Sequence, residues 1–156
     1  MKSKFFASLL VATIALAVGS PVPAADSPRV VTIRAGVDNA MKFDVTSIAA
    51  APGESIKVVL INAGVLPKNV MGHNWVLLTA GTDPVAFAAT AAPEVASEYL
   101  PEKQKDKIVA FIRLLGPKET GEVVFKVPTE PGEYPFLCTF PAHCAVGMKG
   151  VLVVKK

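Results

Sequence analysis

Cys138-Thr139-Phe140-Pro141-Ala142-His143-Cys144-Ala145-Val146-Gly147-Met148 lies between two short apolar runs, Tyr134 to Leu137 and Val151 to Val154. Each run has the length of a strand. The stretch therefore reads as a loop between two late strands, and it gathers a thiolate, an imidazole and a thioether. Such soft or borderline donors select copper(I) and zinc over magnesium or calcium. A trigonal copper site takes two His, one Cys and a weak axial Met. One imidazole is then missing, and the only other histidine in the chain is His73.

Outward from this loop the chain is a series of short extended runs. Arg29 to Arg34, Met41 to Ile48, Ser55 to Asn62, Val70 to Thr79, Ile108 to Leu115, Gly121 to Val127, Tyr134 to Cys138 and Gly150 to Lys155 are the strand candidates. They are separated by turn signals such as Pro52-Gly53, Gly64, Pro67 and Gly116-Pro117. One excursion breaks the pattern. Asp83 can cap a helix and Pro84 suits its first turn, where no N–H is needed, so Val85 to Ala92 reads as helix. A further short turn is expected over Pro93 to Tyr99, and a polar surface stretch over Lys103 to Lys107. About eight strands with one helical insertion predict an all-β fold, an antiparallel Greek-key sandwich or barrel.

The N-terminus has a different character. Lys2 and Lys4 precede an uncharged apolar run from Phe5 to Gly19, followed by Ser20-Pro21-Val22-Pro23-Ala24-Ala25. This is the layout of a secretory signal peptide. The run is shorter than the roughly 20 residues of a spanning helix. The sequence thus divides into a signal peptide, 1–24, and one domain, 25–156, with retention of the N-terminal segment as an anchor the other reading. Loss of Lys2 and Lys4 lowers 16 basic residues to 14, against 13 acidic ones. So balanced a charge excludes a strongly basic nucleic-acid binder. Export predicts a periplasmic protein.

Strand periodicity brings the scattered donors together. Tyr134, Phe136 and Cys138 fall on one face of an extended segment, and the two aromatics mark that face as core. His73, Trp75 and Leu77 likewise share an apolar face. His73 alone would read as a core histidine, Met148 alone as core filling, and Cys138 alone as a small buried hydrophobe. Together they read as four donors meeting at one end of the sandwich. Cys144 reads as a partly shielded loop thiol; a Cys138–Cys144 disulfide would close a small ring and remove the thiolate.

The two donor regions carry a family resemblance. Leu66-Pro67-Lys68-Asn69-Val70-Met71-Gly72-His73-Asn74-Trp75-Val76-Leu77 resembles the first ligand region of azurins. Tyr134 to Pro141, with Met148-Lys149-Gly150, resembles the second. The resemblance implies a cupredoxin sandwich holding one type 1 copper. It implies His73, Cys138 and His143 as equatorial ligands, Met148 as axial ligand and the Gly72 carbonyl on the opposite axial side. It also implies that Asn74 ties the two ligand loops together. The N–H groups of Asn74 and Phe140 are expected to point at the Cys138 sulfur, near which Pro141 has no N–H to offer. Four residues separate His143 from Met148, where azurins have three; four is similar to auracyanins and plastocyanins. The family's usual glycine before the loop histidine is Ala142 here, and the azurin disulfide near the N-terminus has no cysteines to form it.

The function these readings predict is a periplasmic blue-copper electron carrier, not an enzyme. Four protein ligands leave no open metal position of the kind catalytic sites keep. The expected partners are redox proteins docking on an apolar patch around His143, drawn from Met41, Val65, Leu66, Pro67, Met71, Pro141, Ala142, Ala145 and Val146. The carrier is expected to act as a monomer without a membrane span. The alternative on the same fold is a copper delivery or storage protein.

Overall fold

A computed structural model describes residues 27–156. The signal-peptide reading of 1–24 lies outside the described residues. Eight strands run in chain order as β1 (Arg29–Ala35), β2 (Ser47–Ala50), β3 (Ser55–Asn62), β4 (His73–Leu78), β5 (Ile108–Leu115), β6 (Thr120–Lys126), β7 (Gly132–Leu137) and β8 (Lys149–Val154). Helix α1 (Lys68–Met71) precedes β4, and α2 (Pro84–Ala91) lies between β4 and β5. One sheet has the order β1-β3-β6 and the other β2-β8-β7-β4-β5. The sheets do not close on each other, so the architecture is a sandwich and not a barrel.

Sequence patterning places the sheets face to face. In β3 every second residue is buried, so Ile56, Val58 and Leu60 point into the core and Lys57 and Val59 away from it. Trp75 and Phe136 from the larger sheet meet them there, with ring centroids 5.6 Å apart. Strand β4 is buried along its whole length. Trp75 and Leu77 face the main core, while Val76 and Leu78 face the opposite way, toward Phe87 of α2. The insertion thus roofs the outer face of the sheet at the strands that carry His73 and Cys138. Burying the Phe87 ring contributes about 2 kcal/mol to holding it there. Asp83 caps α2 by accepting from the Val85 and Ala86 N–H groups at 2.8 and 3.3 Å. The cap and the Pro84 start match the sequence expectation.

Three local expectations are corrected. Met41 to Val45 is not a strand: Phe43 makes one isolated bridge to Ala35, and pairing begins only at Ser47. The chain crosses between sheets here, with Phe43 sunk into the core as the plug. That crossover also explains why the sheets are not purely antiparallel. Strand β2 joins the second sheet, so β3 returns beside β1 in parallel, and β2 lies parallel to β8. Finally, β4 starts at His73, not Val70. The Val70 and Met71 N–H groups both donate to the Pro67 carbonyl at 2.9 Å, winding that segment into a helical turn.

Candidate metal centre

His73 opens β4 at the end of the sandwich. Its register with β5 shifts between His73 and Trp75, an irregularity of the kind that re-aims a side chain beside a site. Two glycines allow close packing here, Gly36 against the His73 ring and Gly72 against the helical turn before it. A Cβ on Gly36 would lie 2.5 Å from His73 Nε2, and Gly36 also adopts a φ of +71°. A Cβ on Gly72 would lie 2.5 Å from the Lys68 carbonyl oxygen. Gly36 therefore lies against the Nε2 edge of the ring.

Cys138 follows the last paired residue of β7 and is fully buried. The loop then doubles back on itself. The His143 N–H donates to the Phe140 carbonyl at 3.1 Å, and the Met148 N–H to the His143 carbonyl at 2.9 Å. The Met148 carbonyl accepts from the Cys138 N–H at 3.1 Å. These bonds close one tight turn in which the four residues from Cys144 to Gly147 are absorbed. Gly147 makes the reversal with a φ of +108°, a region that favours glycine. Ala142, at +70°, adopts the left-handed conformation without being glycine.

The result is a cluster of buried donors. One ligand atom each from His73, Cys138 and His143 lies within 4.8 Å of the others. Cys138 Sγ is 3.5 Å from His143 Nδ1, and the two imidazole centroids are 5.0 Å apart. Met148 is fully buried beside them. The structure thus brings together all four side chains that the sequence singled out as ligands. Neither ring nitrogen of His73 has a hydrogen-bond partner. Leaving such buried groups unsatisfied costs about 1–3 kcal/mol each.

Electrostatics makes the same demand. Burial pushes the Cys138 thiol up to about 12, although the backbone N–H groups of Asn74 and Phe140 pull the other way. A thiolate forms here only beside a cation. Burial lowers His73 to about 4; burial, and then the neighbouring His73, lowers His143 to about 4. Both rings are therefore neutral near pH 7, the form that ligates a metal. Two soft or borderline imidazoles, a thiol and a thioether fit copper by their chemistry.

The surroundings fix these donors. The Asn74 side chain donates to Thr139 Oγ1 at 2.6 Å and accepts from the Thr139 N–H at 2.7 Å. That pair bolts the start of β4 to the residue after Cys138. Sequence reasoning singled out Asn74 but missed Thr139, and read Gly36 only as a turn. The spacing of Gly36 to His73 carries no local signal. His143 is only 2% exposed. One surface expectation also changes. Cys144 is buried, not partly shielded, among Val76, Leu78, Phe87 and Leu137. Both cysteines are free thiols.

Residues 31–155 match the family described as copper binding proteins, plastocyanin/azurin family. The chain belongs to that family. It is 41% identical to azurin of Pseudomonas fluorescens biotype C over 119 residues, covering 74% of this chain and 91% of that one. It is 34% identical to auracyanin-B of Chloroflexus aurantiacus over 139 residues, covering 87% of this chain but 56% of that longer protein. The fold is similar to dithionite-reduced auracyanin from the photosynthetic bacterium Roseiflexus castenholzii, with a TM-score of 0.70 and 31% identity. That match covers 85% of this chain and all of the other. This cupredoxin therefore has His73, Cys138, His143 and Met148 positioned to bind one copper.

Proposed function

We propose that this cupredoxin is a periplasmic electron carrier whose type 1 copper would be held by His73, Cys138 and His143, with the Met148 thioether as a further, weaker donor. The observation that carries the reading is the buried triad of donor atoms within 4.8 Å, with His73 lacking any other partner. Bound copper would supply a one-electron couple. The protein's part is to keep the donors in one arrangement through both oxidation states. Asn74 and Thr139 lock the two ligand segments, and the Asn74 and Phe140 N–H groups stabilise negative charge on the sulfur. The Gly72 carbonyl lies directly before His73 and would be a further weak contact to the copper.

The exit is the thin apolar cover over His143. Val65 and Val146 are 62% and 54% exposed, and Pro67, Ala142 and Ala145 are exposed with them. Met41, Leu66, Met71 and Pro141 are partly buried. Such a surface suits brief, small interfaces with redox proteins and little electrostatic steering. No helix among the described residues is long and apolar enough to cross a membrane. With four side chains around the metal and no position left for substrate, the proposal is a monomeric carrier and not an enzyme. The periplasmic assignment, the signal peptide at 1–24 and the single domain at 25–156 rest on the sequence layout of Lys2 to Ala25.

The test is to add Cu(II) to purified protein of residues 25–156. A strong thiolate-to-copper charge-transfer band is expected. Cys138→Ser should abolish it and Cys144→Ser should leave it. A colourless sample would sink the reading, and loss of the band in Cys144→Ser would overturn the ligand assignment. Fast electron self-exchange would favour the carrier. Rapid transfer of copper to a metal-free acceptor would favour delivery or storage.

A further inference from the structure

The insertion between β4 and β5 does more than roof the sheet. Its residues Glu98 and Tyr99 are consecutive, bulky and both left-handed, with φ of 55° and 65°. Left-handed backbone costs such residues of order 1–2 kcal/mol each, and it persists where surrounding contacts over-determine it. The turn is fastened from within: the Tyr99 N–H donates to the Glu94 carbonyl at 2.8 Å, and the Ser97 hydroxyl to the Leu100 carbonyl at 2.7 Å. The strained pair sends its two side chains to the two halves of the metal centre. Glu98 accepts from Lys68 of α1 at 2.6 Å, on the segment leading to His73. Tyr99 meets Phe140 edge-on, with centroids 5.1 Å apart and planes at 68°. Phe140 in turn lies against His143, centroid to centroid 4.7 Å.

The other end of the insertion touches the loop as well. The Cys144 thiol donates to the Pro84 carbonyl at 3.4 Å, and Cys144 packs with Phe87. His143 is therefore flanked at Phe140 and at Cys144 by residues that one insertion holds, Tyr99 from its end and Pro84 from its start. Neither Tyr99 nor Cys144 reaches the donor cluster itself.

We propose that the insertion is a clamp on the ligand loop, with Tyr99 and Cys144 as positioning residues that fix the His143 ring. The clamp rests on the copper reading of the site. It accounts for the left-handed Glu98-Tyr99 pair and for the burial of a thiol the metal does not use.

The test compares copper-loaded wild type with Tyr99→Leu, Tyr99→Phe and Cys144→Ala, and with Val58→Ala as a core control distant in sequence from the loop. The readouts are the reduction potential, the rate of copper(I) release to a chelator and the melting temperature of the copper-free protein. Residues that orient a ligand typically change metal affinity 10- to 100-fold. Tyr99→Leu and Cys144→Ala should each speed release about 10-fold and shift the potential. Tyr99→Phe keeps the ring edge and should behave as wild type. Val58→Ala should lower the melting temperature and leave release and potential unchanged. The clamp is overturned if Tyr99→Leu and Cys144→Ala only lower melting, if Tyr99→Phe matches Tyr99→Leu, or if Val58→Ala releases copper as fast. Wild type with no charge-transfer band and no reversible couple would instead sink the copper reading and the clamp together.

Discussion

His73 and His143 arrive at the same point by opposite means. His73 is carried on a strand that is buried along its length, and the backbone of Gly36 presses close against its ring. His143 hangs on a turn with no strand pairing, held by hydrogen bonds within the loop, while its neighbours Phe140 and Cys144 touch the insertion. The first is fixed by exclusion of space and the second by attachment. The two halves therefore tolerate different changes. Added atoms break the strand side, whereas lost contacts loosen the loop side.

Four experiments sharpen that contrast. The largest effect should come from acid, which strikes both halves at once. In the unfolded chain each imidazole titrates near 6.5, but burial holds both near 4 in the fold. The unfolded state therefore binds more protons in between. Stability of the copper-free protein should be full above about pH 6.5 and decline as pH falls toward 4, by about 4 kcal/mol for the two rings together once solvent screening and their mutual repulsion are discounted. Denaturant titrations across that range would show it. Copper-loaded protein should decline less, because its ring nitrogens are ligated.

Next, Gly36→Ala attacks the strand side by addition. Its Cβ would meet His73 Nε2 at 2.5 Å, at a φ of +71°. A loss of about 3 kcal/mol is expected, together with weakened copper binding by competition assay. Unchanged copper affinity would mean that the close approach of Gly36 does not position His73.

Asn74→Ala cuts the bolt between the halves. It removes both hydrogen bonds to Thr139 and strands a buried N–H. The expected cost is about 2 kcal/mol, with a displaced charge-transfer band in the visible spectrum. If only stability changes, the two halves keep their relation without Asn74.

The smallest effect is a gain. Ala142 is exposed and left-handed at φ +70°, so Ala142→Gly removes strain without losing packing. The melting temperature of the copper-free protein should rise, reflecting about 1 kcal/mol. The band should not move, since the side chain removed faces outward.

How much of this was legible in the sequence follows the same division. Cys138, His143 and Met148 could be assigned together because they are close in sequence, and a short loop between two strands leaves them few places to go. His73 followed from alternation, which put it on the face of Trp75 and Leu77. The capped helix at Asp83-Pro84 was readable because capping is a local event. Met41 to Val45 misled because its alternation is real, yet Phe43 serves as a plug at a crossover and not as a paired strand residue. Thr139, Tyr99 and Gly36 gave no sign of their part in the site, since each matters through a neighbour far away in the chain.

The kinds of donor, their order and the faces they occupy are written in the sequence. Those depend on side-chain chemistry and on a two-residue period, both local properties. Only the tertiary structure decided that Gly36 would close one edge of His73, that Asn74 would bolt to Thr139 and that the insertion would grip the loop at Phe140 and Cys144. These depend on how two sheets and one insertion pack. Packing brings together residues as far apart in the chain as Asn74 and Thr139, and no local pattern encodes that meeting.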